Sequence, residues 1–74
     1  MTTNTVLAAQ LGKAIRVRRQ AMGLSQDDFA DRIKMHRAYY SAIERGEKNI
    51  TLTTLARVAA GLATPLSELL ASVG

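Results

Sequence analysis

Two short amphipathic runs lie back to back between Leu24 and Ile50, in the stretch LSQDDFADRIKMHRAYYSAIERGEKNI. Ser25 is a good helix N-cap, and Asp28 three residues later supplies the reciprocal carboxylate. Asp27 and Asp28 also suit the positive end of a helix dipole. Phe29, Ala30 and Ile33 make one apolar face, and the first run ends near Arg32–Lys34. A second begins at about His36, with Tyr40 and Ile43 one turn apart, and Gly46 stops it. The spacing predicts helices over about 25–33 and 36–45, joined by a tight turn and followed by a polar, partly basic loop. What lies on either side reads as scaffold holding the pair at a fixed angle.

The scaffold is helical too. Leu7, Leu11, Ile15, Arg18 and Met22 recur at three- and four-residue steps. Ala8, Ala9, Ala14 and Ala21 add helix propensity. Gly23 sits where a helix end wants a left-handed residue, freeing Leu24 to fold back onto the core. Beyond the loop, Thr51 or Thr53 can cap a fourth helix with an apolar stripe of Leu52, Leu55, Val58, Ala59 and Leu62. Gly61 near its end weakens it by roughly 1 kcal/mol relative to Ala. Thr64 followed by Pro65 reads as an N-cap and first helical residue, opening a last helix with Leu66, Leu69, Leu70 and Val73. No stretch alternates as a strand would. The expectation is an all-α, compact five-helix bundle over residues 5–74, behind a frayed tail at 1–4.

Seventy-four residues without a cysteine leave a thin core and no covalent staple. Domains this small bury only ~60% of the surface their unfolded chains expose, and self-association is one way to add to that. The absence of cysteine fits a reducing compartment. No apolar run approaches the ~20 residues of a membrane span. The start of the chain has neither the basic residues nor the apolar centre of a secretory signal, so a cytoplasmic location is expected.

The formal charge is +4, unevenly placed. Lys13, Arg16, Arg18 and Arg19 cluster early, and Arg32, Lys34, Arg37, Arg45 and Lys48 lie in or beside the central stretch. After Asn49 only Arg57 and Glu68 are charged. One part is suited to a polyanion, another to burial. A lone histidine, His36, with no phosphate-cradling glycine loop and no convergent carboxylate pair, argues against an enzyme, a metal or a cofactor. Asp27 and Asp31, four apart, fit helix-dipole and solubility roles better than acid–base chemistry.

Two short helices around a tight turn form the unit whose second helix enters the major groove of duplex DNA. Here the chain resembles the phage-repressor-like (Cro and CI type, XRE) helix-turn-helix domains. The resemblance rests on LSQ at 24–26, Phe29–Ala30, IERG at 43–46, Leu55 with Val58–Ala59, and LSELL at 66–70. It runs from about Leu11 to Leu70. The segment HRAYYSAIERGEKN resembles most the recognition helix and loop of restriction–modification controller proteins. Two positions depart from the pattern. Lys34 stands where the turn usually has Gly or Asn, and a left-handed residue with a Cβ costs roughly 1–2 kcal/mol. Ala38 stands where a polar residue is common.

The resemblance implies a homodimeric transcriptional regulator that reads two half-sites of a pseudo-palindromic operator, its reading helices ~34 Å apart. It further implies control of the protein's own operon and an endonuclease gene. Activation would require a surface for RNA polymerase, and no residue identifies one. The alternative is a protein–protein interaction module such as an antitoxin-like partner. The small residues around Arg37 argue against it, because interface cores favour large apolar anchors.

Within this frame Arg37 is the expected base reader, since arginine can donate two parallel hydrogen bonds to guanine; a surface ion pair is the plainer role. Ala38, Ser41 and Ala42 should share its face, with Ala38 able to touch a thymine methyl. Tyr40 belongs in the core, leaving Tyr39 at the DNA edge or packed over the helix end. Gln26, on the first turn of the preceding helix, is placed to hold a phosphate, as are Arg45, Lys48 and Asn49 on the other side. Arg19 and Glu44 should pair, by the resemblance, and tie the first helix to the end of the reading helix. Leu66, Leu69, Leu70 and Val73 exceed what a small core needs, and some of them suggest a symmetric dimer contact; a purely internal core is the plainer role.

Overall fold

The computed structural model describes residues 3–73, with side chains from Val6 onward. Five helices follow in order: α1 (Thr3–Ala21), α2 (Gln26–Arg32), α3 (Arg37–Glu44), α4 (Leu52–Gly61) and α5 (Leu66–Leu70). The expected frayed tail needs correction, because Thr3 and Asn4 already belong to α1, while residues 1 and 2 lie outside the described residues. α1 packs against α3 and α5, α2 against α3, and α4 against α5.

The caps explain where the elements begin. The Ser25 hydroxyl accepts from the Asp28 backbone N–H at 3.1 Å, and Thr51 caps α4 in the same way through Thr54 at 3.2 Å. The return bond from Asp28 is not among those the described residues make. Pro65, rather than Thr64, occupies the cap position of α5. The Thr64 hydroxyl instead donates back to the Leu62 carbonyl at 3.1 Å.

Leu11, Ile15, Phe29, Ile33, Tyr40, Ile43, Leu55, Val58, Leu62 and Leu69 form the core. The Phe29 and Tyr40 rings meet at 5.0 Å between centroids, tilted by 46°, and so fix α2 against α3. Leu69 is fully buried. That corrects its assignment to a dimer contact: α5 turns this leucine inward, where it is needed to close the monomer's own core.

Two glycines permit close approach. A Cβ at Gly12 would lie 2.4 Å from the Glu44 carbonyl oxygen, so α1 rests directly on the backbone at the end of α3. A Cβ at Gly61 would lie 2.3 Å from Ile33 Cγ2, which gives this glycine a packing role that outweighs its helix penalty.

The turn between α2 and α3 does contain a left-handed Lys34, with φ 56°. Its strain is offset from outside the motif. Arg57 of α4 donates from Nη2 to the carbonyls of Ile33 at 2.6 Å and Lys34 at 2.9 Å, clamping the turn. A second left-handed residue, Ala63 at φ 52°, ends α4 where glycine would be easier.

At the centre lies a buried ionic cluster. Arg19 Nε donates to Glu44 Oε2 at 2.7 Å and Nη2 to Oε1 at 3.1 Å, while Nη1 reaches the Leu24 carbonyl at 2.8 Å. The Tyr40 hydroxyl donates to the same carboxylate, and Gln26 Nε2 adds a bond at 2.9 Å. Burial pushes the Glu44 carboxyl up, but the bonds from Arg19, Tyr40 and Gln26 prevail and hold it below its usual value. Burial, then the bond to Glu44, raises the Tyr40 hydroxyl well above the ordinary tyrosine range.

Two outcomes test this arrangement. Gly12→Ala should lose about 1–3 kcal/mol of unfolding free energy in denaturant titration, because backbone rather than a flexible side chain stands in the way. Glu44 favours its charged form on folding, so its contribution is complete above about pH 4.5, the usual carboxyl value, and disappears as pH falls through the lower folded value. Tyr40 has the opposite sign: its contribution is complete below about pH 10 and lost above it. Glu44→Gln should therefore flatten the acid limb of the stability profile while costing on the order of 3 kcal/mol near neutrality. An unchanged acid limb would remove Glu44 from this role.

Candidate nucleic-acid interface

α3 presents two unlike faces. Tyr40, Ile43 and Glu44 point into the protein, while Arg37, Ala38 and Tyr39 on its first turn are exposed. Ser41 is half-buried beside them. Ala42 does not join this face: it is only 6% exposed. After Gly46 the chain turns back, and the Glu47 N–H closes on the Ala42 carbonyl at 2.9 Å. With its methyl buried, Ala42 is corrected from base reader to packing residue.

Gln26 stands at the first turn of α2, as a phosphate contact requires, but its amide is engaged internally. Nε2 donates to Glu44 Oε1, and Oε1 accepts from the Ser41 hydroxyl at 3.2 Å. Arg45 Nη1 donates to that hydroxyl in turn at 2.7 Å and binds Glu47 through Nε at 3.0 Å. A continuous hydrogen-bonded chain thus runs from the buried carboxylate through Gln26 and Ser41 to the surface arginine. Hydrogen bonding to Arg45 lowers the Glu47 carboxyl below its usual value.

The other cations also have partners. Arg37 pairs with Asp27 at 2.8 Å between Nε and Oδ1, both side chains being well exposed. The Lys48 ammonium lies 5.8 Å from the centroid of the Tyr39 ring. Asn49 is exposed on the same loop. The structure therefore places Gln26 on α2, Arg37, Ala38, Tyr39 and Ser41 on α3, Arg45 at the C-cap of α3, and Lys48 and Asn49 on the loop that follows.

Asp27 and Glu47 were not expected as partners of these arginines. The one available signal was proximity in sequence for Glu47, two residues from Arg45; nothing local links Asp27 to Arg37. The expected dimer residues divide as well. Leu69 is internal, Leu66 and Val73 are partly buried against the core, and Leu70 is 39% exposed. Among the described residues no group of acidic or histidine side chains is placed to hold a metal ion. No helix among them is long and apolar enough to cross a membrane.

The sequence pattern of the helix-turn-helix family HTH_3 matches residues 15–69. Control protein C.MunI from a Mycoplasma species is 41% identical over 61 residues, 82% of each chain. The crystal structure of the restriction–modification controller protein C.AhdI from Aeromonas hydrophila superposes with a TM-score of 0.80 at 32% identity, covering 84% of this chain and 94% of that one. The controller C.Esp1396I, solved as a tetramer with its natural 35 base-pair operator, gives 0.79 at 27% identity, covering 89% and 92%. The chain belongs to the helix-turn-helix family, and its relatives include restriction–modification controller proteins.

Proposed function

We propose that this protein is a sequence-reading regulator of transcription that acts on duplex DNA as a homodimer and controls a restriction–modification operon. The observation that carries the proposal is the division of α3. Its inner face is fastened into the core through Tyr40, Ile43 and Glu44, and its first turn offers Arg37, Ala38 and Tyr39 to the outside. Rigid presentation of this kind suits a helix laid into a major groove. The near full-length similarity to control protein C.MunI supports the same reading.

Arg37 reads guanine through its guanidinium fork, and Ala38 packs against a neighbouring thymine methyl. Tyr39 and Ser41 line the edge of the groove. Gln26, Arg45, Lys48 and Asn49 hold phosphates on either side, giving register and salt-dependent affinity rather than sequence choice. Leu66, Leu70 and Val73 supply the dimer contact, bringing two reading helices onto the half-sites of a pseudo-palindrome. Activation of the regulated genes adds a contact with RNA polymerase; repression needs only occupancy.

Selection from random duplex DNA at physiological salt should enrich a pseudo-palindrome with half-sites about one helical turn, ~34 Å, apart. On that site Arg37→Ala should cost about 1–3 kcal/mol and relax preference at one base pair. Lys48→Ala should weaken binding to all sequences and reduce the slope of log affinity against log salt by about one. A bound pool without an enriched motif would refute sequence reading, and no bound pool would refute DNA binding itself.

A further inference from the structure

Asp27 is an acid beside Arg37 on the surface proposed to meet DNA, and helix-dipole stabilisation alone does not require it to meet Arg37. The two residues come from different helices. Asp27 lies on the first turn of α2 and Arg37 opens α3, and their ion pair at 2.8 Å spans the junction. The nearest approach is at Nε, the stem end of the guanidinium. Arg37 is held by this ionic contact alone, with no hydrogen bond from any guanidinium nitrogen among the described residues, so its donors remain for a ligand.

We infer that Asp27 is a positioning residue for base recognition, holding the Arg37 guanidinium by its stem so that the terminal nitrogens meet guanine in register. This rests on the proposal that Arg37 reads a base. An exposed ion pair adds little to folding, because water screens it and the long arginine side chain must be ordered to make it. Its value here lies in that ordering, which is done before DNA arrives. A guanidinium already held in one orientation loses less freedom on binding.

The carboxylate also acts against the wrong ligand. On a non-cognate sequence Arg37 has no guanine edge to meet, and the nearest attraction is a phosphate. Asp27 competes for the guanidinium there and repels the phosphate directly, so it weakens indiscriminate binding. The same side chain therefore sharpens recognition from both ends.

The test uses the full chain, the selected operator and a second operator altered at the base pair that Arg37 reads. Asp27→Asn keeps the size of the side chain and removes the charge. It should reduce discrimination between the two duplexes by about 3- to 10-fold, the range expected for freeing one long side chain. Affinity for unrelated duplex should hold or rise. Asp27→Glu should recover part of the discrimination. A purely structural role would shift both duplexes equally, and thermal unfolding of each variant checks that the fold is kept. Unchanged discrimination in Asp27→Asn, with Arg37→Ala still abolishing it, overturns the inference alone. If Arg37→Ala leaves discrimination intact, the reading face is wrong and the role of Asp27 falls with it.

Discussion

The Glu44 carboxylate is the point on which the arrangement depends. Each of its oxygens receives two hydrogen bonds: Oε2 from Arg19 Nε and the Tyr40 hydroxyl, Oε1 from Arg19 Nη2 and Gln26 Nε2. A buried charge without such partners would be expensive, and even a well-satisfied pair gives little net stability over an apolar substitute. What it supplies is direction. Apolar packing between helices tolerates sliding, whereas a carboxylate with four donors fixes where α1, α2 and the end of α3 stand relative to one another. The Arg19 bond to the Leu24 carbonyl adds the α1–α2 connection to the same unit. For a helix that must present side chains to a groove, this fixed placement matters more than the last increment of stability.

The parts legible in the sequence were those with a local cause. Helical spacing located all five helices, Ser25 marked a start, Thr51 is the one of Thr51 and Thr53 that caps α4, and Gly23 takes the positive φ of 74° its position suggested. The left-handed Lys34 could be inferred from its place in the turn, but not its remedy, because Arg57 is 23 residues away in the chain. Ala42 illustrates a different limit. An alanine carries too little surface to declare which side of a helix it occupies, and its burial shows only in the packed fold. Among Leu66, Leu69, Leu70 and Val73 the spacing defines one stripe, and only the packed fold shows Leu69 to be the deepest.

The candidate interface shows the same separation between local and assembled information. Its cations could be counted from the sequence, while their intramolecular partners appeared only with the fold. Asp27, Glu47 and Tyr39 each occupy a cation that would otherwise offer itself to any phosphate. A bare cluster of the same size would bind DNA of every sequence, since the phosphate backbone is everywhere alike. Partnered cations must exchange one attraction for another, so only a ligand that meets the whole constellation gains much. Net charge alone does not describe such a surface.

Burial of Leu69 bears on assembly as well. A leucine that closes the core of its own chain is not available to a second copy, and the apolar surface left on α5 for the proposed dimer is Leu70 with the partly covered Leu66 and Val73. Permanent dimers bury large apolar interfaces, whereas a modest one dissociates within an accessible concentration range. If the operator takes two copies through such an interface, dimer concentration rises with the square of monomer concentration until dimer predominates. Binding to paired half-sites then favours the dimer by mass action. Association of the proposed kind, through a small contact, would therefore turn a gradual rise in protein level into a steeper change in operator occupancy.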